Sequence, residues 1–136
     1  MDSTIVNLKS KLEIYRAMSG GGNISDCPVR DVIQGLSAKW SSLLMSALAE
    51  QPYRFGELRR LVPDISQRML TQTLHDLQRD GYVHREVFPT KPPSVEYSLT
   101  DLGRSMFGAL RHLLEWAELN HNAVRAARAG FDATQA

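Results

Sequence analysis

The sequence predicts a mainly α-helical fold that carries one small antiparallel β-hairpin. Three observations predict it: apolar residues recur at helical spacing through most of the chain, two short runs alternate in the manner of strands, and a proline-rich stretch joins those runs. With 136 residues, of which 43% are hydrophobic and 23% charged, the chain has the size and composition of about one soluble globular domain. We therefore expect helices on both sides of a single two-stranded hairpin.

The first predicted helix lies near the N-terminus, from Thr4 to Met18. Its apolar residues form one stripe at helical spacing: Ile5, Leu8, Leu12 and Tyr15. A helix this short is marginal in water, so the stripe predicts a contact with the chain's own domain or with a second subunit. The glycines from Gly20 to Gly22 then predict a flexible link, and residues 1–22 form the first unit of the predicted organisation.

The second unit is predicted to cover residues 23–100. Its first helical segment opens at Pro28, because proline suits the first turn of a helix, where its missing N–H costs nothing. Two groups of apolar residues follow up to Leu48, and Pro52 ends the segment because it disfavours helix in the residue before it. A short helix comes next, and its inward face is predicted to hold Phe55, Leu58, Leu61 and Val62.

The following helix is predicted between Ser66, a good N-cap, and Gly81, which suits the left-handed conformation after a helix end. Its inward face is formed by Leu70, Leu74 and Leu77. Its outward face is polar and carries Gln67, Arg68, Thr71, Gln72 and His75. No carboxylate occurs from Ser66 to His75, so this end of the helix lacks groups that phosphates would repel.

Two extended runs follow, from Val83 to Phe88 and from Val95 to Leu99, and the segment from Pro89 to Ser94 joins them. A tight turn between a short helix and a following helix is the helix-turn-helix signature, and a hairpin directly after it makes the motif winged. Thr100 is predicted to cap a long final helix. Residues 101–136 form the third unit, a C-terminal helix whose tail is expected to fray from Arg125 onward.

The polar face of the fourth predicted helix indicates binding to double-stranded DNA. Glutamine and arginine pair bidentately with adenine and guanine edges in the major groove, so we predict that its five outward residues contact bases. Phosphate or wing contacts are predicted for six basic residues: Lys39, Arg54, Arg59, Arg60, Arg85 and Lys91. For each of these residues, a solvated charge without a DNA contact is the alternative. A local ion pair with Glu57 is a further alternative for Arg54, Arg59 and Arg60. For Arg85, the further alternative is an ion pair with Glu96 across the hairpin.

Overall charge gives only weak support to DNA binding. The net charge is +1 and the pI about 7.9, and from Arg54 to Lys91 seven Lys or Arg stand against five Asp or Glu. Nucleic-acid-binding domains are usually basic. The alternative is therefore a winged helix that serves protein–protein assembly without specific DNA binding.

Several runs of the sequence carry a family resemblance. They include Cys27-Pro28-Val29, Lys39-Trp40, the run from Arg54 to Arg60, Asp80-Gly81-Tyr82-Val83 and the run from Pro92 to Gly103. Between Cys27 and about Trp116 the chain thereby resembles the HxlR family of winged-helix regulators. The chain departs from the family at Ser37-Ala38, where the family often has two glycines, and in a longer segment before Gly20.

The resemblance implies a bacterial transcription factor that acts as a homodimer. Residues 66–80 would be its recognition helix, the hairpin its wing and the terminal helices its dimer interface. Besides the N-terminal stripe, we place dimer contacts on the final helix at Met106, Leu110, Leu113 and Trp116.

Cys27 is the candidate redox sensor. The positive end of a helix dipole favours a thiolate, and the resemblance implies that a cysteine at this place senses oxidants or electrophiles in some members. An unreactive, partly buried thiol is the alternative. As the chain has one cysteine, a sensing disulfide must join it to a partner subunit or to a small thiol. A small-molecule effector between the core and the terminal helices is the other candidate input.

Other functional classes lack sequence support. We expect no enzyme activity, cofactor or metal site, because there is no paired acid–base constellation, no phosphate-binding glycine loop and no nucleophile with a recognisable partner. Glu118 and His121 have a metal-ligand spacing but no further carboxylates arranged around them. No apolar run approaches the roughly 20 residues that span a bilayer, and no signal peptide is recognisable, so we expect a cytoplasmic protein without a membrane partner.

Overall fold

The computed structural model describes residue 13, residues 28–36 and residues 39–135. The elements are α1 (Pro28–Leu36), α2 (Ser41–Glu50), β1 (Tyr53–Arg54), α3 (Phe55–Leu61), α4 (Gln67–Arg79), β2 (Val83–Phe88), β3 (Ser94–Leu99) and α5 (Asp101–Gln135). This order confirms the predicted fold class, a mainly helical winged helix-turn-helix with a small antiparallel sheet. Apart from residue 13, the helix predicted from Thr4 to Met18 and the glycine link lie outside the described residues.

The sheet has three strands in the described residues, one more than predicted. The strand order is β1-β3-β2, and both pairs of neighbours are antiparallel. In β1, Tyr53 pairs with Tyr97 and Arg54 pairs with Glu96. Two residues are too few to show the alternation that identifies a strand from sequence. The extra strand ties the start of α3 directly to the wing.

The wing hairpin is anchored at its base and exposed at its tip. Strands β2 and β3 pair along six residues each, and Val83, Tyr97 and Leu99 at the base are buried. Val87, closer to the tip, is exposed. The base therefore belongs to the core of the domain, while the tip reaches away from it.

The core lies where α2, α3, α4, the base of the sheet and the first part of α5 meet. Its fully buried apolar side chains are Leu44, Met45, Leu48, Leu58, Leu70, Leu74 and Leu77. Leu110 of α5 belongs to the same core, and Met106 and Leu114 pack against it. The first part of α5 is thus integral to the winged-helix core, although residue 100 was the predicted boundary between two units.

Helix α5 begins in close contact with the end of α4. The Thr100 hydroxyl accepts a hydrogen bond from the Gly103 N–H at 3.0 Å, which confirms the predicted cap, and it donates to the Gly81 carbonyl. The Thr100 N–H also donates to the Tyr82 carbonyl at 3.0 Å. A Cβ atom at Gly103 would overlap that carbonyl oxygen. Only glycine fits at this crossing without a shift of the backbone.

Two expectations about helices are wrong. Leu61 was predicted to face inward but is 52% exposed, because α3 contacts the core along a narrow stripe that runs through Leu58 and Val62. The tail was expected to fray from Arg125, but α5 continues to Gln135. Alanine has the highest helix propensity of all residues, and four alanines between Ala123 and Ala129 favour this extension.

Helix α1 leaves apolar residues on the surface of the single chain. Val29, Val32 and Ile33, which form an apolar face at helical spacing, are all exposed. A Cβ atom at Gly35 would lie 3.0 Å from Oδ2 of Asp80, so α1 passes close to the end of α4. Burial, followed by the charges of Asp80 and Asp31, raises the pKa of Tyr82 above its ordinary value. The contact between α1 and the end of α4 is thus polar, while the apolar side chains of α1 are exposed among the described residues.

Candidate nucleic-acid interface

The turn between α3 and α4 is held by buried residues at both of its ends. The Val62 N–H donates to the Leu58 carbonyl at 3.0 Å, and the Ile65 N–H donates to the Val62 carbonyl at 3.2 Å. Val62 and Ile65 are buried, whereas Pro63 and Asp64 between them are exposed. The core therefore fixes how α4 is placed relative to α3.

Both ends of α4 are capped in the way that the sequence predicts. At the start, the Ser66 hydroxyl accepts the Met69 N–H at 3.0 Å. At the end, Gly81 has a φ of 84°, its N–H donates to the Gln78 carbonyl, and the Tyr82 N–H donates to the Leu77 carbonyl, both at 3.0 Å. This pair of bonds is the Schellman arrangement, which satisfies the last carbonyls of a helix. Helix α4 is therefore a rigid element with defined ends.

The inner face of α4 is apolar and buried. Leu70, Leu74 and Leu77 are at most 1% exposed, as the sequence predicts. Thr73 lies among them and is also buried, and its hydroxyl donates to the Met69 carbonyl at 2.8 Å, so this buried group has a partner. Because one side of the helix is locked in the core, the opposite side has a fixed orientation toward solvent.

The outer face of α4 presents all five residues for which base contacts are predicted. Gln67, Arg68, Thr71, Gln72 and His75 are exposed. The Thr71 hydroxyl donates to the Gln67 carbonyl at 2.9 Å, and His75 Nδ1 lies 3.9 Å from Oδ1 of Asp76. Arg68 forms no hydrogen bond or ion pair within the part of the chain that the structure describes, so its guanidinium is free for a ligand.

Both glutamines on this face are held by neighbours that the sequence did not identify. Nη1 of Arg59 in α3 donates to Oε1 of Gln67 at 3.0 Å. Nε2 of Gln72 donates to Oδ1 of Asp76 at 2.9 Å. The pair of Gln72 and Asp76 has the i, i+4 spacing of neighbouring helix residues and was visible in principle. The contact between Arg59 and Gln67 joins two helices and left no signal in the sequence.

Met69 is a surface residue that the sequence analysis missed. It lies between Arg68 and Leu70 and is 44% exposed. Apolar side chains on a recognition helix contact the methyl group of thymine in the major groove. A methionine exposed near the start of α4 is suited to such a contact.

A groove between the start of α3 and the wing gathers three of the predicted phosphate contacts. Arg54, Arg60 and Arg85 line it, next to Phe55 and Tyr97. Glu57 also lines the groove, but its Oε1 accepts the backbone N–H of Arg54 at 2.8 Å and so caps the start of α3. Like charges gathered in one groove raise its positive potential, which favours anionic ligands.

The strand register removes one of the alternatives for Arg85. Arg85 lies opposite Tyr97, and Glu96 is the neighbour of Tyr97 along β3. Successive side chains of a strand point to opposite faces of the sheet. Arg85 and Glu96 therefore lie on different faces, and the alternative of an ion pair between them is wrong.

The two predicted lysine contacts lie outside this groove. Lys91 is exposed at the tip of the wing, where the Thr90 hydroxyl donates to the Pro92 carbonyl at 2.8 Å. Nζ of Lys39 lies 4.9 Å from the centroid of the Trp40 ring, a cation–π distance. Lys91 is thus directed to solvent on a restrained turn, whereas Lys39 has a local partner.

A model of one protein family covers this whole arrangement. Residues 35–125 match the HxlR-like helix-turn-helix family, which is two thirds of the chain and includes both helices of the motif and the wing. The chain belongs to the HxlR-like family. The predicted resemblance is confirmed.

Relatives of this HxlR-like protein bear names of the same kind. The HTH-type transcriptional regulator YdeP of Bacillus subtilis is 45% identical over 68% of this chain and 72% of its own length. YtfH of Escherichia coli, also an HTH-type transcriptional regulator, is 40% identical over 88% of this chain and 95% of its own. The chain thus matches these regulators over most of their length.

Two solved structures of one regulator superpose on the chain. The redox regulator HypR in its reduced form is 40% identical, with a TM-score of 0.69 over 73% of this chain and 98% of that one. Its oxidised form is 44% identical, with a TM-score of 0.65 over 69% of this chain and 97% of that one. This HxlR-like protein is therefore similar to a redox regulator in both sequence and fold.

The predicted dimer and sensor residues fall into three groups. Ile5, Leu8, Leu12, Tyr15 and Cys27 lie outside the described residues. On α5, Leu110 lies in the chain's own core and Met106 packs against it, whereas Leu113 and Trp116 are exposed. Among the described residues of the predicted dimer surface, Leu113 and Trp116 are therefore the ones that are exposed.

No helix within the described ranges is both long enough and apolar enough to cross a membrane.

Proposed function

We propose that this HxlR-like regulator binds an operator in duplex DNA as a homodimer and that α4 reads bases in the major groove. The division of α4 into a buried leucine face and an exposed face of Gln, Arg, Thr and His carries the proposal. In a helix-turn-helix, the start of the second helix contacts base edges and the first helix crosses the backbone. The absence of carboxylates from Ser66 to His75 suits that approach.

Arg54, Arg60 and Arg85 are proposed to bind phosphates. They share one groove beside the start of α3, the helix that crosses the DNA backbone in this motif. Lys91 at the wing tip would add a phosphate or minor-groove contact. Phosphate contacts set the register of a protein on DNA, and base contacts supply the sequence preference. This local placement of cations supports DNA binding in a chain whose net charge is only +1.

The homodimer is supported by apolar side chains along α5. Leu113, Trp116, Leu119 and Phe131 are all more than half exposed. Leu113, Trp116 and Leu119 follow one another at spacings of three residues, so they are neighbours on the helix surface. Contiguous apolar surface on a soluble protein marks an interaction site, and most soluble oligomers are symmetric homo-oligomers. Two recognition helices in such a dimer would enter successive major grooves about 34 Å apart.

The decisive experiment is binding of the full chain to DNA from its own promoter region at several salt concentrations. Arg68→Ala combined with Gln72→Ala should abolish the preference for the operator over unrelated DNA and leave the fold intact. Arg128→Ala, which removes a charge from the far part of α5, is the matched control and should keep that preference. Binding that is insensitive to salt, or absent, would refute the proposal, since phosphate contacts make affinity fall steeply with salt.

The competing function, protein–protein assembly without specific DNA binding, predicts the opposite outcome. It rests on the near-neutral charge of the chain. Under that function, the variant that combines Arg68→Ala with Gln72→Ala would bind the same protein partners as the wild type. The affinity of the wild type for DNA would not fall steeply as salt increases.

Dimer formation has its own test by sedimentation. Leu113→Glu places a charge on the exposed apolar face of α5 and should shift the protein toward monomer. Arg125→Glu introduces the same side chain nine residues beyond Trp116, on the side of a helix with 3.6 residues per turn that lies opposite the exposed apolar side chains, and should not. Equal sedimentation of both variants would remove α5 from the proposed interface.

We further propose that oxidants act on this regulator through Cys27. The supporting observation is the similarity to HypR, a redox regulator, in a chain with a single cysteine. The reducing bacterial cytoplasm would keep that thiol free until an oxidant arrives. Mild peroxide or quinone treatment should modify Cys27 in mass spectra and change DNA binding. A Cys27→Ser variant that responds normally would reject this input and favour a small-molecule effector.

A further inference from the structure

The two glutamines on the outer face of α4 are held by charged neighbours of opposite sign. Gln67 accepts a hydrogen bond from Arg59 through Oε1, and Gln72 donates one to Asp76 through Nε2. All four residues are exposed, so these contacts lie at the surface that a ligand would meet. The glutamines are thus fixed in opposite senses on one face of the helix.

The charges of the neighbours make each orientation the favoured one. A guanidinium has only donors, so Arg59 can bind Gln67 only through the amide oxygen. An ionised carboxylate has only acceptors, so Asp76 can bind Gln72 only through the amide N–H. Rotating either amide by half a turn would place like groups against each other and lose the hydrogen bond.

The orientation determines what each glutamine offers to a base. With its oxygen turned to Arg59, Gln67 presents the two donors of its NH₂ group. With one N–H bound to Asp76, Gln72 presents its oxygen and its remaining N–H. An acceptor beside a donor is what adenine requires, since its N6 donates and its N7 accepts, whereas guanine presents two acceptors, N7 and O6.

We propose that Asp76 and Arg59 are positioning residues that give the two glutamines different base preferences. Gln72 selects adenine, and Gln67 selects an edge that carries acceptors, guanine or thymine. The inference rests on the proposed function, because it assigns the specificity of the same DNA-binding face. Holding a side chain in its bound orientation removes the entropy cost of ordering it at the interface, so the neighbours increase discrimination without touching a base.

The test is selection of binding sites from random duplex DNA by the full-length protein, followed by sequencing. The position at which Gln72→Ala loses its preference identifies the base that Gln72 reads. In the wild type, we expect adenine to be enriched at this position about tenfold over the other bases, in line with a bidentate base contact. Asp76→Ala should relax this preference at the same position, because Gln72 is then free to rotate.

Two variants at this position test whether an acceptor-only neighbour sets the orientation of Gln72. Asp76→Glu keeps a carboxylate at the same helix position and should retain most of the adenine preference. Asp76→Asn offers donors as well as an acceptor, so Gln72 can bind it in either orientation, and the preference should relax about as much as in Asp76→Ala. Asp80→Ala removes a carboxylate from the end of the same helix, where no hydrogen bond to either glutamine exists, and it should leave the preference unchanged. Circular dichroism of each variant checks that the helix is intact.

The outcomes distinguish this inference from the proposed function. Failure of the wild type to enrich any sequence overturns DNA recognition itself. An enriched motif without adenine at the Gln72 position, or one that Gln72→Ala does not alter, overturns the inference alone. So does an adenine preference that survives Asp76→Ala, or one that Asp76→Asn retains in full, since an acceptor-only neighbour would then not set the orientation of Gln72.

Discussion

Helices α4 and α5 differ in how far their leucine side chains are buried. All three leucines of α4 are buried, and its outer face is polar. Helix α5 buries Leu110 but leaves Leu102, Leu113 and Leu119 exposed, the last at 85%. Helix α4 thus buries its apolar face in the core of its own chain and presents polar groups to a ligand. The other carries apolar side chains that are exposed in the described part of the chain.

The contrast matches the two roles in the proposed function. A recognition surface must keep its shape before DNA arrives, and the buried leucines and caps of α4 provide that rigidity. An interface between subunits gains stability from apolar area removed from water, and in the proposed dimer the far part of α5 would supply such area. Three pairs of substitutions test this contrast, in order of decreasing effect on stability.

The largest effect is expected from truncating a leucine of α4. Leu74→Ala should lower the free energy of unfolding by about 2–5 kcal/mol, because it removes a side chain that is 1% exposed and leaves a cavity. Chemical denaturation measures it.

Leu119→Ala makes the same truncation on the exposed side of α5. It should change the stability of the monomer by less than about 0.5 kcal/mol. A loss for Leu119→Ala that appears only at high protein concentration would place this residue in a subunit contact. A loss as large as that of Leu74→Ala in the monomer would break the contrast between the helices.

The second test uses two glycines of α5. Gly103→Ala should destabilise the protein by about 1–3 kcal/mol, since the added methyl group would overlap the Tyr82 carbonyl and force the helix away from the core. A Cβ atom at Gly108 would meet nothing within 4 Å. Gly108→Ala should therefore stabilise by up to about 1 kcal/mol through helix propensity. Thermal melts that shift in the same direction for both would contradict the packing of α5 described above.

The smallest effect is expected at the start of α4. Ser66→Ala removes the hydroxyl that accepts the Met69 N–H and should cost about 1 kcal/mol. Ser105→Ala makes the same change at an exposed position within α5 and should be neutral or slightly stabilising, because alanine is the better helix former. If both variants shift the denaturation midpoint in the same direction from that of the wild type, Ser66 does not act as a cap.

Much of α4 was predictable because its features are local. The Ser66 cap, the stripe of Leu70, Leu74 and Leu77 and the turn at Gly81 each depend on residues within a few positions of one another. The same holds for the Thr100 cap of α5. Leu61 shows the limit of such patterns, because a seven-residue helix has several apolar positions and spacing does not show which of them the core contacts.

By itself, the sequence determined the order of the helices, the wing, the polar face of α4 and the family, since composition, spacing and short runs of residues encode all of these. Only the tertiary structure decided that β1 joins the sheet, that Leu110 is buried while Leu113 is not, and that Arg59 holds Gln67. These features depend on how distant segments pack together. Packing selects one neighbour among many that the sequence allows, so the spacing of residues along the chain carries no record of it.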